Sequence, residues 1–336
     1  MNAKIGHISY HLPKKILTND ELDAFFPTWN MKSVVKKTGV YSRHIADDDE
    51  TALDLSVAVC KKFFAETNMK PSEVDAILYC TQSPDYIMPP NALLLHRHFD
   101  FRVDIPAFDI NLACSGYVYA LAIAKSMVVS GMANNVLLVT ADTYSKYINP
   151  RDRSTRSLFG DGAAVTLVEP CDDDCGILSQ SLASDGKFYK KFYIPAGGQR
   201  KPKSDSSSFE DIDAVGNVHN EEQILMDGIG IWNYIRSKIP GHIESFLKKS
   251  NVDMSQINQF IFHQASQLTL DSLVKVLKIN PDIFFTNLKD IGNTVSSSIP
   301  IAIADARAQN KIQPSDLVLI SGFGVGLSYG SMLIRF

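Results

Sequence analysis

The chain has 336 residues, 33 of them Lys or Arg and 37 Asp or Glu, for a formal net charge of -4. That balance gives no electrostatic reason to bind nucleic acid or a membrane surface, and no apolar run approaches a membrane span. With 45% hydrophobic residues and five cysteines (60, 80, 114, 171, 175), the composition excludes a disulfide scaffold and suits a cytoplasmic enzyme of one large or two fused domains.

Residues 5–10 predict a strand, followed by a turn through Pro13 and a helix from Asp20, with Thr18 or Asn19 as its cap. Residues 51–67 place Leu53, Leu55, Val57, Val59 and Phe63 at helical spacing. Residues 74–80 read as a buried strand, Met88-Pro89-Pro90 as a break and Asn91 as a helix start. A strand-like run then ends near Leu112. The small residues Ala113-Cys114-Ser115-Gly116 turn the chain into an apolar stretch that reaches Gly131. Lys125 is its only charge, so it predicts a helix buried nearly all round. Buried strands follow at 135–141 and 163–168, the second entered through Phe159-Gly160-Asp161-Gly162.

The order then repeats. Residues 259–262 form an apolar run ending at His263, and Phe285-Thr286-Asn287-Leu288 parallels Asp109-Ile110-Asn111-Leu112. The small-residue turn 292–298 leads into a helix containing Ile301-Ala302-Ile303-Ala304. Residues 317–320 parallel 136–139, and Phe323-Gly324-Val325-Gly326 parallels Phe159-Gly160-Asp161-Gly162. This is an internal duplication with halves at 1–170 and 171–336. Strands alternating with helices imply mostly parallel sheets covered by helices. Two such halves predict an α/β fold, a five-layer α/β/α/β/α sandwich. Residues 197–222, rich in Ser, Asp, Gly and Lys, fall outside the repeat and read as an exposed insertion. Cys171 and Cys175 flank three aspartates without further soft ligands nearby, which suits a solvated loop better than a metal site.

Cys114 lies between a strand end and a buried helix start. The free N–H groups and positive dipole end there favour a thiolate, the nucleophilic form of cysteine. Buried cysteines also simply pack, and the stretch alone leaves both roles open. In the second half the matching turn carries Asn293 and another strand end carries His263. Pseudo-symmetric halves bring corresponding strand ends together, so Cys114, His263 and Asn293 are expected in one cleft, a nucleophile with polar supports.

Several motifs carry a resemblance that runs nearly end to end. They are Tyr10-His-Leu-Pro, Lys37-Thr-Gly-Val-Tyr-Ser-Arg-His-Ile, Asn111-Leu-Ala-Cys-Ser-Gly, Asp152-Arg-Ser, Phe159-Gly-Asp-Gly-Ala, Phe262-His-Gln-Ala, Gly292-Asn-Thr and Phe323-Gly-Val-Gly. With them the chain resembles the β-ketoacyl-acyl-carrier-protein synthase III family of the thiolase-like superfamily. The resemblance implies that Cys114 takes an acyl group from a thioester on coenzyme A or acyl-carrier protein. His263 and Asn293 then stabilise the enolate of a decarboxylating malonyl-acyl-carrier protein, and no cofactor is needed. It further implies an oxyanion hole from the amides of Cys114 and Gly326, a shielding Phe323, and a homodimer in which Met88 reaches the partner's acyl pocket. Core packing is the plainer reading of Met88. Lys37, Arg153 and Ser266 fall on the family's donor-binding path. There Ser33 and Lys37 replace a tryptophan and an arginine, Ser266 an asparagine and Leu268 a docking arginine, with Lys275 left as a basic contact. A relative passing the acyl group from Cys114 to an amine or hydroxyl is the alternative, with a non-catalytic partner subunit behind it.

Overall fold

The computed structural model describes residues 1–214 and 216–336. Its first half runs β1 (Asn2–His11), β2 (Lys15–Thr18), α1 (Asn19–Phe25), α2 (Met31–Thr38), β3 (Ser42–Ile45), α3 (Ala52–Thr67), β4 (Ala76–Cys80), α4 (Asn91–Phe99), β5 (Ala107–Ile110), α5 (Gly116–Val129), β6 (Val136–Asp142), α6 (Arg153–Arg156) and β7 (Gly162–Cys171). The second runs β8 (Gly176–Ser184), the two-residue strands β9 (Phe192–Tyr193), β10 (Asp211–Ile212), β11 (Val218–His219) and β12 (Leu225–Met226), then α7 (Gly228–Lys249), β13 (Gln259–Phe262), α8 (Gln267–Leu277), α9 (Ser298–Ala308), β14 (Leu317–Gly324) and β15 (Ser328–Arg335).

The duplication is visible strand for strand. One sheet has the order β1-β7-β6-β4-β5 and the other β8-β15-β14-β13. In both, the two outermost pairings on the β1 or β8 side are antiparallel and the next is parallel. The halves part at one edge. Where β5 pairs with β4, the second half has a single parallel bridge from Phe284 to Phe260, although Phe285–Leu288 matches the β5 region in sequence.

Alternation of side chains explains the layering. Ala76 and Leu78 face the layer between the sheets, whereas Ile77 and Tyr79 face α3. Val318 and Ile320 face inward likewise, while Leu317 and Leu319 pack with residues of α7 and α8. Both faces of each sheet are covered, which a helix-covered parallel sheet requires. Helices α5 and α9 fill the middle layer, and the result is the five-layer sandwich. That placement accounts for the composition of α5: its Tyr117, Val118, Ala120, Leu121 and Ala124 are buried, and Lys125 satisfies its charge on the Ile177 carbonyl at 2.5 Å.

Local signals set the helix ends. Thr18 rather than Asn19 caps α1: it accepts from the Glu21 N–H, and Glu21 returns a bond to the Thr18 N–H. Asn19 donates instead to the Val40 carbonyl. The described residues of 197–222 are mostly exposed, but they are anchored. Ser207, Asn217 and Val218 are buried, and Asn217 Nδ2 donates to Ser154 Oγ at 2.9 Å, beside α6. The polar composition conceals this because the anchors are hydrogen bonds more than apolar contacts.

Candidate active site

Cys114 lies in the turn between β5 and α5, where one glycine lets the turn pack on Cys80 and another leaves room for Cys114 itself. A Cβ on Gly116 would stand 2.3 Å from the Cys80 sulfur, and one on Gly324 would stand 2.8 Å from the Cys114 sulfur. The end of β14 therefore roofs the nucleophile with bare backbone. The Val325 N–H and the N–H of Cys114 itself bond to the sulfur. Gly326, whose amide is expected in the oxyanion hole, lies one residue beyond Val325, with φ +132°.

Opposing effects act on the Cys114 thiol. Burial pushes the Cys114 thiol up to about 12, buried Asp142 adds to that push, and the two N–H groups only partly oppose it. Desolvation disfavours a charged sulfur more than one helix terminus favours it.

His263 directly follows β13 and is 1% exposed. Burial lowers it to about 3, so the imidazole is neutral. Its Nδ1 is 2.6 Å from Ser298 Oγ at the start of α9. Asn293 is gripped by backbone: its N–H donates to the Leu158 carbonyl and its carbonyl accepts from Gly160 N–H, both at 3.0 Å. Its side-chain Oδ1 accepts from Val295 N–H at 2.9 Å. That bond aims Nδ2 at the site, 3.4 Å from His263 Nε2 and 3.3 Å from the Ala265 carbonyl. Val295 achieves this in the left-handed region at φ 54°, a conformation costing on the order of 1–3 kcal/mol for a β-branched residue.

Cys114, His263 and Asn293 meet in one cleft of about 700 Å³. Lys37, Arg153, Ser266 and Phe323 line it as well. Phe323 stands edge-on to the His263 ring, with centroids 5.9 Å apart. Ser266 caps α8, accepting from Thr269 N–H, so its hydroxyl already has a structural duty. Met88 is not in the cleft and not in the core: it is 79% exposed, beside Tyr86 and Ile87. The packing alternative for Met88 is therefore wrong for the single chain.

Sequence reasoning missed several lining groups. Both tryptophans of the chain, Trp29 and Trp232, line the cleft. Trp29 stacks on Phe26 with centroids 4.2 Å apart, and Trp232 lies under Arg236 while donating to Ser272 Oγ. Asn217 lines the cleft from the insertion, and Leu268 and Ile229 form apolar parts of the lining. The rarity of tryptophan was the available signal. Among the described residues no cluster of three or more His, Cys, Asp or Glu side chains is arranged to hold a metal ion, and no helix is long and apolar enough to cross a membrane.

The arrangement offers a nucleophile, two backbone N–H donors at its sulfur, and two side chains able to donate to one developing oxyanion. Comparison with known proteins agrees with it. The family model described as 3-oxoacyl-[acyl-carrier-protein (ACP)] synthase III matches residues 108–186, and its C-terminal counterpart matches residues 247–336. A β-ketoacyl-[acyl-carrier-protein] synthase III from Caldanaerobacter subterraneus subsp. tengcongensis is 34% identical over 331 residues, covering 98% of this chain and 96% of that one. A crystal structure of a 3-oxoacyl-(acyl-carrier-protein) synthase III superposes with a TM-score of 0.98 at 38% identity over 100% of both chains. A 3-oxoacyl-(acyl-carrier protein) synthase from Burkholderia xenovorans gives a TM-score of 0.92 at 31% identity, over 100% of this chain and 94% of the other.

Proposed function

Since this chain belongs to the 3-oxoacyl-[acyl-carrier-protein] synthase III family and is a condensing acyltransferase, we propose that it joins an acyl group held on Cys114 to a malonyl thioester with loss of carbon dioxide. The observation that carries the residue roles is the convergence of Cys114, His263 and Asn293, from opposite halves of the duplication, in one cleft.

In the first half-reaction the Cys114 sulfur attacks the acyl thioester carbonyl. The carbon–sulfur bond of the donor breaks, and its thiol leaves with a proton. The Cys114 and Val325 amides, which bond to the sulfur before it is acylated, are the nearest backbone donors for the acyl oxygen and serve as its oxyanion hole. In the second, malonyl-acyl-carrier protein loses carbon dioxide, and the electron pair flows into its thioester carbonyl. The enolate oxygen is held by His263 Nε2–H and Asn293 Nδ2–H. A neutral imidazole suits this role, because it donates a hydrogen bond without having to lose a proton. The enolate carbon then attacks the acyl-Cys114 carbonyl, and the sulfur departs and is reprotonated. Acyl transfer to an amine or hydroxyl would leave Asn293 without a task.

The substrate arm enters along the cleft past Lys37, Arg153 and Ser266. The chain works as a homodimer, and the exposed Tyr86-Ile87-Met88 stretch and the half-exposed Phe108 on edge strand β5 are its contact surface. Intact-mass measurement tests the reading. An acyl-coenzyme A or acyl-carrier protein should add one acyl mass at Cys114, and malonyl-acyl-carrier protein should then discharge it as a 3-oxoacyl product with stoichiometric carbon dioxide. Acyl mass that leaves only to an amine or alcohol, without carbon dioxide, would overturn it.

A further inference from the structure

The cleft accounts for the three functional side chains but not for Asp142, a fully buried carboxylate at the end of β6. It does not line the cleft, and among the described residues no Lys, Arg or His is seen hydrogen-bonded to it. All of its hydrogen-bond donors are neutral, and they come from both halves of the duplication. From the first half, Oδ1 accepts from Gln82 N–H at 2.8 Å, Thr81 Oγ1 at 3.4 Å and Ser83 Oγ at 3.5 Å. From the second, Oδ2 accepts from Ser296 Oγ at 2.5 Å and from Ser296 N–H at 3.3 Å.

A buried carboxylate without a cation is expensive, and an apolar residue there would cost less. It also acts against the chemistry at Cys114: burial pushes the Asp142 carboxyl up to about 7, and when ionised its charge disfavours the thiolate. What it holds explains its presence. Ser296 sits inside the short segment that carries the other two functional groups. Asn293 is three residues before it, oriented through Val295 N–H. Ser298 is two residues after it and bonds His263 Nδ1. Ser297, between them, is tied by its hydroxyl to the carbonyls of Thr140 and Gly162. The segment is a short helical turn with a strained residue at Val295, and Asp142 fastens it at its middle.

We propose that Asp142 is a positioning residue for the condensing step: by clasping Ser296 it sets the Asn293 amide and the Ser298-bound His263 imidazole at the distance an enolate oxygen needs. The inference rests on the condensing reaction proposed above. Its function is selective, since the acylation step relies on the Cys114 and Val325 amides, which Asp142 does not touch.

The test uses the full-length Asp142→Asn protein. The side-chain shape is kept, but one oxygen becomes an N–H₂ that faces a backbone N–H, either that of Gln82 or that of Ser296. Decarboxylation of malonyl-acyl-carrier protein should fall roughly 10–100-fold in kcat with little change in KM, in line with the sensitivity of catalysis to misplacement of about 1 Å. Acylation of Cys114, followed by intact mass, should stay within about threefold of wild type or rise, since the charge opposing the thiolate is gone. Ser296→Ala, which removes only the hydroxyl arm, should give the same selective loss at smaller size and serves if the Asn variant does not fold. Equal loss of both half-reactions, or no loss of decarboxylation, overturns the proposal. A wild-type protein that neither acylates nor decarboxylates would instead overturn the condensing reaction itself.

Discussion

Ser298 Oγ and His263 Nδ1 stand 2.6 Å apart, inside a site where both residues are buried. The Ser298 hydroxyl can donate to Nδ1, and in that arrangement the neutral imidazole carries its proton on Nε2, where the enolate needs a donor. Ser298→Ala should lower malonyl decarboxylation about tenfold, the worth of one orienting hydrogen bond of roughly 1–1.5 kcal/mol. Ser298→Thr should recover most of it. Decarboxylation unchanged in the Ala variant would remove the hydroxyl from the mechanism.

Cys114→Ala should leave the fold intact and end acyl-enzyme formation. Gly324→Ala is the sharper case, because its methyl would occupy space 2.8 Å from the sulfur. It should abolish acylation through crowding alone, with Cys114 still present. Intact-mass spectra after exposure to an acyl thioester decide both; an acyl adduct on Cys114→Ala would place the nucleophile elsewhere.

Much of this site was legible before any coordinates. Apolar periodicity marked α3, α5 and the strands of both sheets, and small residues marked the Cys114 turn. Other features have no side-chain signature. A backbone N–H looks the same at Val325 as at Gly326, and only the path of β14 decides which one reaches the sulfur. The role of Asp142 depends on Ser296, 154 positions away. Burial acts on Cys114 from every side and pushes its thiol up, whereas sequence reveals only the helix that follows it.

Asn293→Ala and His263→Ala should each reduce decarboxylation roughly 10²–10³-fold, the usual worth of one oxyanion donor. Acylation should survive better than decarboxylation in both variants, because that step uses the backbone amides at the Cys114 sulfur and neither of these side chains. Steady-state carbon dioxide release set against single-turnover acylation separates the two. Equal damage to both half-reactions in Asn293→Ala would refute this division.

Ser33 faces the cleft mouth without an aromatic ring, and Trp29 nearby already spends a face on Phe26. Acyl-carrier protein should therefore acylate Cys114 more efficiently than the same acyl group on coenzyme A. Ser33→Trp should raise kcat/KM for the coenzyme A form roughly 5–150-fold, given about 1–3 kcal/mol for stacking one base. A coenzyme A donor that matches the carrier in the unmodified protein would contradict this.

Alkylation of Cys114 by iodoacetamide should keep accelerating with pH through 9, with no plateau, because burial holds the thiol at about 12. Stability has the matching sign. A thiol raised above its unfolded value of about 8.5 contributes fully below that pH and is lost progressively as pH rises toward 12, at about 1.4 kcal/mol per unit. The stability difference between wild type and Cys114→Ala should accordingly shrink above pH 8.5. A reactivity plateau below pH 8 would mean a stabilised thiolate.

The roof over Cys114 has one more effect. The nucleophile comes from the first half of the chain and its cover, Gly324 and Val325, from the second. In a nascent or unfolded molecule the same sulfur is an ordinary solvated thiol, ionised more readily by about three pH units than in the folded protein. Peroxides and other soft electrophiles thus strike the unfolded chain first. Peroxide should accordingly oxidise Cys114 faster in the denaturant-unfolded chain than in the folded protein, where Gly324 covers the sulfur.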